Sequence, residues 1–215
     1  LDLPDIRGRQ AILKVHAAGK PLAPEVKLET VAKETPGFSG ADLSNLINEA
    51  ALLAARQNKK AIFMEEFNEA VERIIAGPER KSRVISPREK EMTAYHEAGH
   101  ALTAWILPHA DQVHKISIVA RGNMGGHTSL LPDEDRYLWT KNQFQDMLAV
   151  MMGGRVAEQQ IFDEVTTGAS DDLERGTKVA LSMIKRYGMS ETLGPRTFGK
   201  REELVFLGRE ISEQR

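Results

Sequence analysis

Gly77-Pro78-Glu79-Arg80-Lys81-Ser82-Arg83 breaks the chain with a run that neither a helix nor a strand tolerates. Glycine followed by proline punctuates both kinds of element, and the charged residues after it offer nothing apolar to pack. Such a run reads as a linker. It divides the 215 residues into two units, 1–77 and 78–215, together long enough for a buried core.

The first unit reads as short helices. Pro4-Asp5 opens one from Ile6 towards Ala17, where Ile6, Ile12, Leu13 and Ala17 make a partial apolar stripe. Gly19-Lys20-Pro21 stops it. Leu28 to Glu34 is a second helix, ended before Pro36-Gly37. Ser39 and Asp42 are both N-cap candidates for a third, which carries Leu43, Leu46, Ile47, Ala50, Ala51 and Ala54 at helical spacing. Met64 to Ile75 is a fourth, with Phe63, Phe67, Val71 and Ile74 on one face.

The second unit opens on a longer helix. Ser86 is its N-cap, Pro87 takes the first helical position, and Glu89 completes a capping box; the helix runs to about Leu107, before Pro108. Val113 to Val119 alternates as a strand does, 121–126 is a turn, and His127 to Leu131 returns. Lys141 to Phe162 is helical with Gly153-Gly154 inside it, and Asp171 to Tyr187 is the last clear helix, closed by Gly188. The fold class is mainly α with a small β-sheet.

Composition narrows the chemistry. A net charge of −2 argues against a chain built to grip nucleic acid, and Lys59-Lys60 and the charges of 79–83 read as solvated surface. Without cysteine there is no disulfide, thiolate metal site or cysteine nucleophile, so any metal falls to His, Asp or Glu. No stretch approaches the roughly 20 apolar residues that span a bilayer. The abrupt start at Leu1 and the polar end Ser212-Glu213-Gln214-Arg215 read as a piece of a longer protein.

His96-Glu97-Ala98-Gly99-His100 falls inside the helix that begins at Ser86-Pro87. At 3.6 residues per turn, His96 and His100 project from nearly one face and can share an ion. Zinc held by three protein ligands keeps a position for water and lowers its pKa to about 7. Glu97 stands next to the first ligand, where its carboxylate can take that water's proton during attack on a peptide carbonyl and pass it to the leaving amine. Gly99 costs a helix about 1 kcal/mol against Ala and marks a close approach by something else.

The third ligand is open on spacing alone. The position six residues after His100 is Ile106, and the candidates are His109, His114, His127, Glu158, Asp163, Glu164, Asp171 and Asp172. His109 is too near the end of the same helix to fold back easily. Thr166-Thr167-Gly168-Ala169-Ser170-Asp171-Asp172 sets small residues before two acids, although Asp171 with Glu174 is also an ordinary N-terminal capping pair. Asp172 leads, with Glu158 close behind, since oxygen ligands suit zinc beside two histidines.

Together these segments resemble a known family. His96-Glu97-Ala98-Gly99-His100-Ala101, the strand His114-Lys115-Ile116-Ser117-Ile118, Gly153-Gly154-Arg155-Val156-Ala157-Glu158 and 166–172 resemble FtsH proteins, which are membrane-anchored, ATP-dependent zinc proteases of bacteria and organelles. Leu3-Pro4-Asp5-Ile6-Arg7-Gly8-Arg9 looks like the end of an AAA ATPase core, and Thr35-Pro36-Gly37-Phe38-Ser39-Gly40-Ala41-Asp42-Leu43 like the start of its helical lid.

The resemblance implies a lid part over 1–77 and a zinc metalloprotease domain over 78–215 that stops short of the family's last helices. It implies Zn2+ held by His96, His100 and Asp172, with Glu97 as catalytic base, and leaves Glu158 open between a place beside the ligands, helix packing and a solvated helix carboxylate. It implies nucleotide contacts from His16, near adenine and ribose, and from the backbone of Gly40 and Ala41. It further implies a homohexamer at the cytoplasmic face of the bacterial inner membrane, degrading unfolded or membrane proteins and using ATP and Mg2+ in the full-length protein. The chain itself has no G-x-x-x-x-G-K-[ST] loop, so ATP hydrolysis is not expected of it alone. The membrane anchors, too, are expected upstream.

Three other readings stand beside this one. The strand Val113 to Val119 is a candidate edge for pairing with an extended substrate. A regulatory or assembly module would hold a metal structurally, with four protein ligands and no need of Glu97. A zinc hydrolase of small amides would share the site but not an open groove.

Overall fold

A computed structural model describes residues 2–80, 85–122, 124–132, 136 and 138–198. Lys81, Ser82 and Arg83 of the expected linker, Asn123 of the turn and the stretch 199–215 lie outside the described residues. The described chain is mainly α-helical with one small sheet, as expected.

Four helices build the first unit: α1 (Ile6–Ala17), α2 (Leu28–Lys33), α3 (Gly40–Arg56) and α4 (Met64–Ala76). Their starts are set locally. The Gly8 N–H donates to Asp5 Oδ1 at 2.7 Å to cap α1. Of the two cap candidates for α3, Ser39 is the cap and Asp42 closes the box by accepting from the Ser39 N–H at 2.9 Å. Leu13, Val31, Leu43, Leu46, Ile47 and Phe67 are wholly buried between these helices. Each such side chain contributes about 1.5–3 kcal/mol by leaving water. Lys59 corrects the solvated reading of its cluster, because it pairs at 2.6 Å with Glu66, whose side chain is buried at the base of α4.

The second unit comprises α5 (Pro87–Ile106), β1 (Gln112–Ser117), β2 (His127–Leu131), α6 (Lys141–Phe162) and α7 (Ser170–Lys185), with a short 3-10 turn, Thr167–Ala169, before α7. Ser86 and Glu89 form the expected capping box of α5. α5 and α6 lie in backbone contact. A Cβ at Gly99 would stand 2.4 Å from Gly153 O, and one at Gly153 would stand 2.7 Å from Gly99 O. Only glycine at both positions allows that approach.

β1 and β2 form an antiparallel pair that lies against α5. β1 ends at Ser117, two residues earlier than its alternation predicts, because the Val119 N–H turns back to Ser117 Oγ at 3.3 Å. The register also slips between Val113 and Lys115, leaving His114 as an extra residue in a bulge. The start of α7 corrects a second expectation. The 3-10 turn begins the helix at Ser170, so Asp171 is not its cap; Asp171 faces Arg175, and Glu174 pairs with Lys178.

The two units meet through charge. Arg121, only 5% exposed, bonds Glu69 Oε2 at 2.6 Å and approaches Glu72 Oε2 at 2.9 Å on α4. Lys115 also pairs with Glu72, and His114 reaches Glu34 at 3.3 Å. Burial opposes ionisation of Glu69, but the bonds from Arg121 and Arg73 outweigh it and hold the carboxyl below its ordinary value. The described part of the linker is pinned here too, with the Arg80 N–H donating to Ala120 O at 2.9 Å.

Candidate metal centre

α5 carries His96 and His100 one turn apart, and both are 8% exposed. Each ring is fixed through its Nδ1. The His100 Nδ1–H donates to the backbone carbonyl of Val150 on α6 at 2.7 Å, and the His96 Nδ1–H donates to Glu158 Oε1 at 2.7 Å. A carbonyl and a carboxylate only accept, so both Nδ1 atoms carry a proton, and in the neutral rings both Nε2 lone pairs point inward. Glu158 is itself held, accepting from the Thr166 N–H at 2.7 Å and from its hydroxyl at 3.1 Å. One carboxylate thus ties α5 and α6 to the segment leading into α7.

Asp172, in the first turn of α7, brings Oδ2 to 3.3 Å from His96 Nε2 and 3.4 Å from His100 Nε2, while the two Nε2 atoms are 3.0 Å apart. Four ligands at about 2.0–2.1 Å around a tetrahedral ion stand roughly 3.3–3.4 Å from one another, so the donor spacing fits zinc. Gly154 closes the other side. A Cβ there would stand 2.5 Å from His100 Nε2 and 2.6 Å from His96 Nε2, so the second glycine of α6 leaves the space that the imidazoles occupy.

Electrostatics agree with a site built for positive charge. Burial disfavours charge on both imidazoles, but His96 bonded to Asp172 and Glu158, and His100 bonded to Asp172 and Val150 O, have raised pKa values. Burial likewise opposes ionisation of Asp172, yet the two histidines outweigh it and hold its carboxyl well below the usual carboxylate range.

Glu97 lies 7% exposed beside this group and opens into the same cleft, whose volume is about 970 Å3. The walls combine apolar side chains, among them Met92, Met147, Val150 and Trp139, with the polar centre. His127 lines it as well, and burial pushes its imidazole below the ordinary value.

The sequence model of peptidase family M41 matches residues 83–215. The chain belongs to peptidase family M41. The model of the AAA+ lid domain matches residues 25–69 of this M41 chain, within the four-helix unit. Among curated relatives, "ATP-dependent zinc metalloprotease FtsH 1" of Sphaerobacter thermophilus is 67% identical over 215 residues, all of this chain and 33% of the relative. The protein of the same name from Thermomicrobium roseum is 66% identical over the same shares. "ATP-dependent zinc metalloprotease FtsH" of Chloroflexus aggregans is 60% identical over 219 residues, again covering all of this chain and 33% of the relative. The chain therefore spans about a third of the length of the curated relatives it matches.

Among the described residues of this M41 chain, His96, His100 and Asp172 are the one group of three acidic or imidazole side chains drawn together closely enough to hold an ion. The other candidates fall elsewhere. Glu158 faces the far nitrogen of His96, and Asp171 points to solvent. His109 and His127 line the cleft outside the cluster, His114 turns to the first unit, and Glu164 pairs with Arg88. Asp163 takes the left-handed position that ends α6. His16 lies partly buried on α1, and Gly40 and Ala41 open α3, away from the cleft.

Sequence reasoning missed Val150, which acts through its backbone carbonyl and leaves no side-chain trace. It also missed Thr128, a hydroxyl on a strand that nothing local distinguishes from its neighbours. The role of Gly154 had a signal, since two glycines inside a helix cost about 1 kcal/mol each unless something needs the space.

Proposed function

We propose that this chain carries the peptide-cleaving centre of an ATP-dependent zinc endopeptidase, with His96, His100 and Asp172 as zinc ligands and Glu97 as the general base. The observation that carries this reading is the convergence of two inward Nε2 atoms and one carboxylate oxygen beside a buried glutamate in an open cleft. Zinc bound there supplies the Lewis acidity that polarises a peptide carbonyl and acidifies water.

The chain's own residues do the rest. Glu158 and the Val150 carbonyl fix tautomer and orientation of the two imidazoles, so that their lone pairs face the ion without a search. Gly154 leaves them room. Glu97 takes a proton from the attacking water on its carboxylate and returns it to the leaving amine nitrogen. The open cleft admits an extended chain, which supports a protein substrate over a small amide. β1 and β2 each keep one edge unpaired among the described residues, so strand addition beside the cleft is available to a substrate.

The rest of the reading extends to the longer protein. Unfolded or membrane proteins are the proposed substrates and a homohexamer the proposed assembly, at the cytoplasmic face of a bacterial membrane. No described helix is long and apolar enough to cross a membrane, and the anchor is proposed to belong to other segments of the longer protein. Residues 1–77 are proposed as the lid of the ATPase and 78–215 as the protease domain. His16, Gly40 and Ala41 are proposed to meet the nucleotide; a Cβ at Gly40 would stand 4.0 Å from Ile12 Cδ1, and His16 follows Ile12 by one turn.

Glu97→Gln tests the mechanism. It keeps the shape of the side chain and removes its basicity, so zinc should be retained while cleavage of an unfolded protein falls by about 10²–10⁴. A variant that still cuts at the wild-type rate removes Glu97 from the mechanism.

A further inference from the structure

We propose that Thr128 is a positioning residue for Glu97, holding one carboxylate oxygen so that the other is presented to water in the cleft. The proposal rests on the reading of Glu97 as the base. It begins with a hydrogen bond: Thr128 Oγ1 stands 2.8 Å from Glu97 Oε2 and 3.0 Å from the Glu97 backbone carbonyl. A hydroxyl has one proton and can serve only one of these acceptors at a time. The carbonyl lies mid-helix in α5, where the N–H four residues on already donates to it. The carboxylate has no such partner. Among the described residues Thr128 gives it its one hydrogen bond, and a charged acceptor makes the stronger bond.

The residue just before β2 holds the glutamate at a second point. A Cβ at Gly126 would stand 3.0 Å from Glu97 Cγ, so backbone packs on the middle of the side chain while the hydroxyl fixes its end. β2 itself is fixed by pairing Thr128 with Ile116 and His127 with Ser117 on β1. A base gripped at Cγ and at Oε2 has few rotamers left, and Oε1 is the oxygen free to take a proton. Orientation of this kind acts on the chemical step and not on substrate affinity.

The test compares Thr128→Val and Thr128→Ser in the intact zinc-loaded protein. Valine keeps the β-branched shape and strand preference and loses only the hydroxyl. Thr128→Val should lower kcat roughly tenfold, the worth of one bond to a charged group, with KM within about twofold of wild type. Zinc per chain and melting temperature should stay at wild-type values, and a peptidyl hydroxamate, which must share a proton with Glu97, should bind more weakly. Thr128→Ser should restore most of kcat. Unchanged kcat in Thr128→Val, no rescue by serine, or a loss that tracks zinc or melting would overturn the proposal. Glu97→Gln measured alongside separates the two levels, because its full activity would sink the assignment of the base itself, whatever the Thr128 variants do.

Discussion

Leu13, Val31, Leu43, Leu46, Ile47 and Phe67 are wholly buried within α1 to α4, whereas the second unit buries mainly small apolar residues such as Ala101, Ala104 and Ala169. Among the described residues it adds only Val150 and Met183 as larger buried apolar side chains, and its buried polar ones are His96, Glu97, His100, Ser117, Arg121 and Glu158. Large apolar residues there stand open instead, with Trp105 79% and Leu138 87% exposed. The first unit is held by area removed from water. The second is held by backbone contact at Gly99 and Gly153 and by a polar cluster whose charges converge on one point. The contrast teaches that a metal is expected to matter for the folding of one unit and to be irrelevant to that of the other. Binding free energy at a site that the unfolded chain lacks is folding free energy.

Breaking each unit by its own means tests this contrast most severely. Phe67→Ala should destabilise the first unit by about 3–5 kcal/mol in thermal or denaturant unfolding, while zinc affinity stays unchanged. Removing zinc with a chelator should do the converse. Zinc at about 1,000 times its Kd contributes roughly 4 kcal/mol, so stripping it should lower the unfolding free energy of the second unit by that amount and spare the first. Parallel loss in both units under either treatment would show that the joint through Arg121, Glu69 and Glu72 makes them one cooperative body.

A smaller effect sharpens the account of the polar cluster. Glu158→Gln keeps an acceptor for His96 but removes the charge and sets an amide where Thr166 also donates. Zinc affinity should fall about 10–100-fold by competition titration. Unaltered affinity would mean that the carboxylate does no more than pin the segment before α7.

The same contrast explains what could be read in advance. Helix starts were legible because their causes are local: Ser39 with Asp42, and Ser86 with Glu89, sit three residues apart and bond each other. The pair of histidines was legible because one helical turn separates them. The bulge at His114 was not, since pairing with β2 and contact with the first unit decide it. The cap expected at Asp171 failed because a 3-10 turn starts the helix a residue sooner. Spacing left Asp172 and Glu158 as rivals. They lie 76 and 62 residues from His96, and only the fold shows that one meets Nε2 and the other Nδ1. Resemblance to the FtsH family had favoured Asp172 without giving Glu158 a definite role.

Zinc content per chain, measured on wild type and on Asp172→Ala, tests the central claim most directly. One zinc per wild-type chain, lost or much weakened in the variant, is the result that a His96, His100 and Asp172 centre predicts. Full zinc in Asp172→Ala, or none in a folded wild-type chain supplied with it, would contradict that centre.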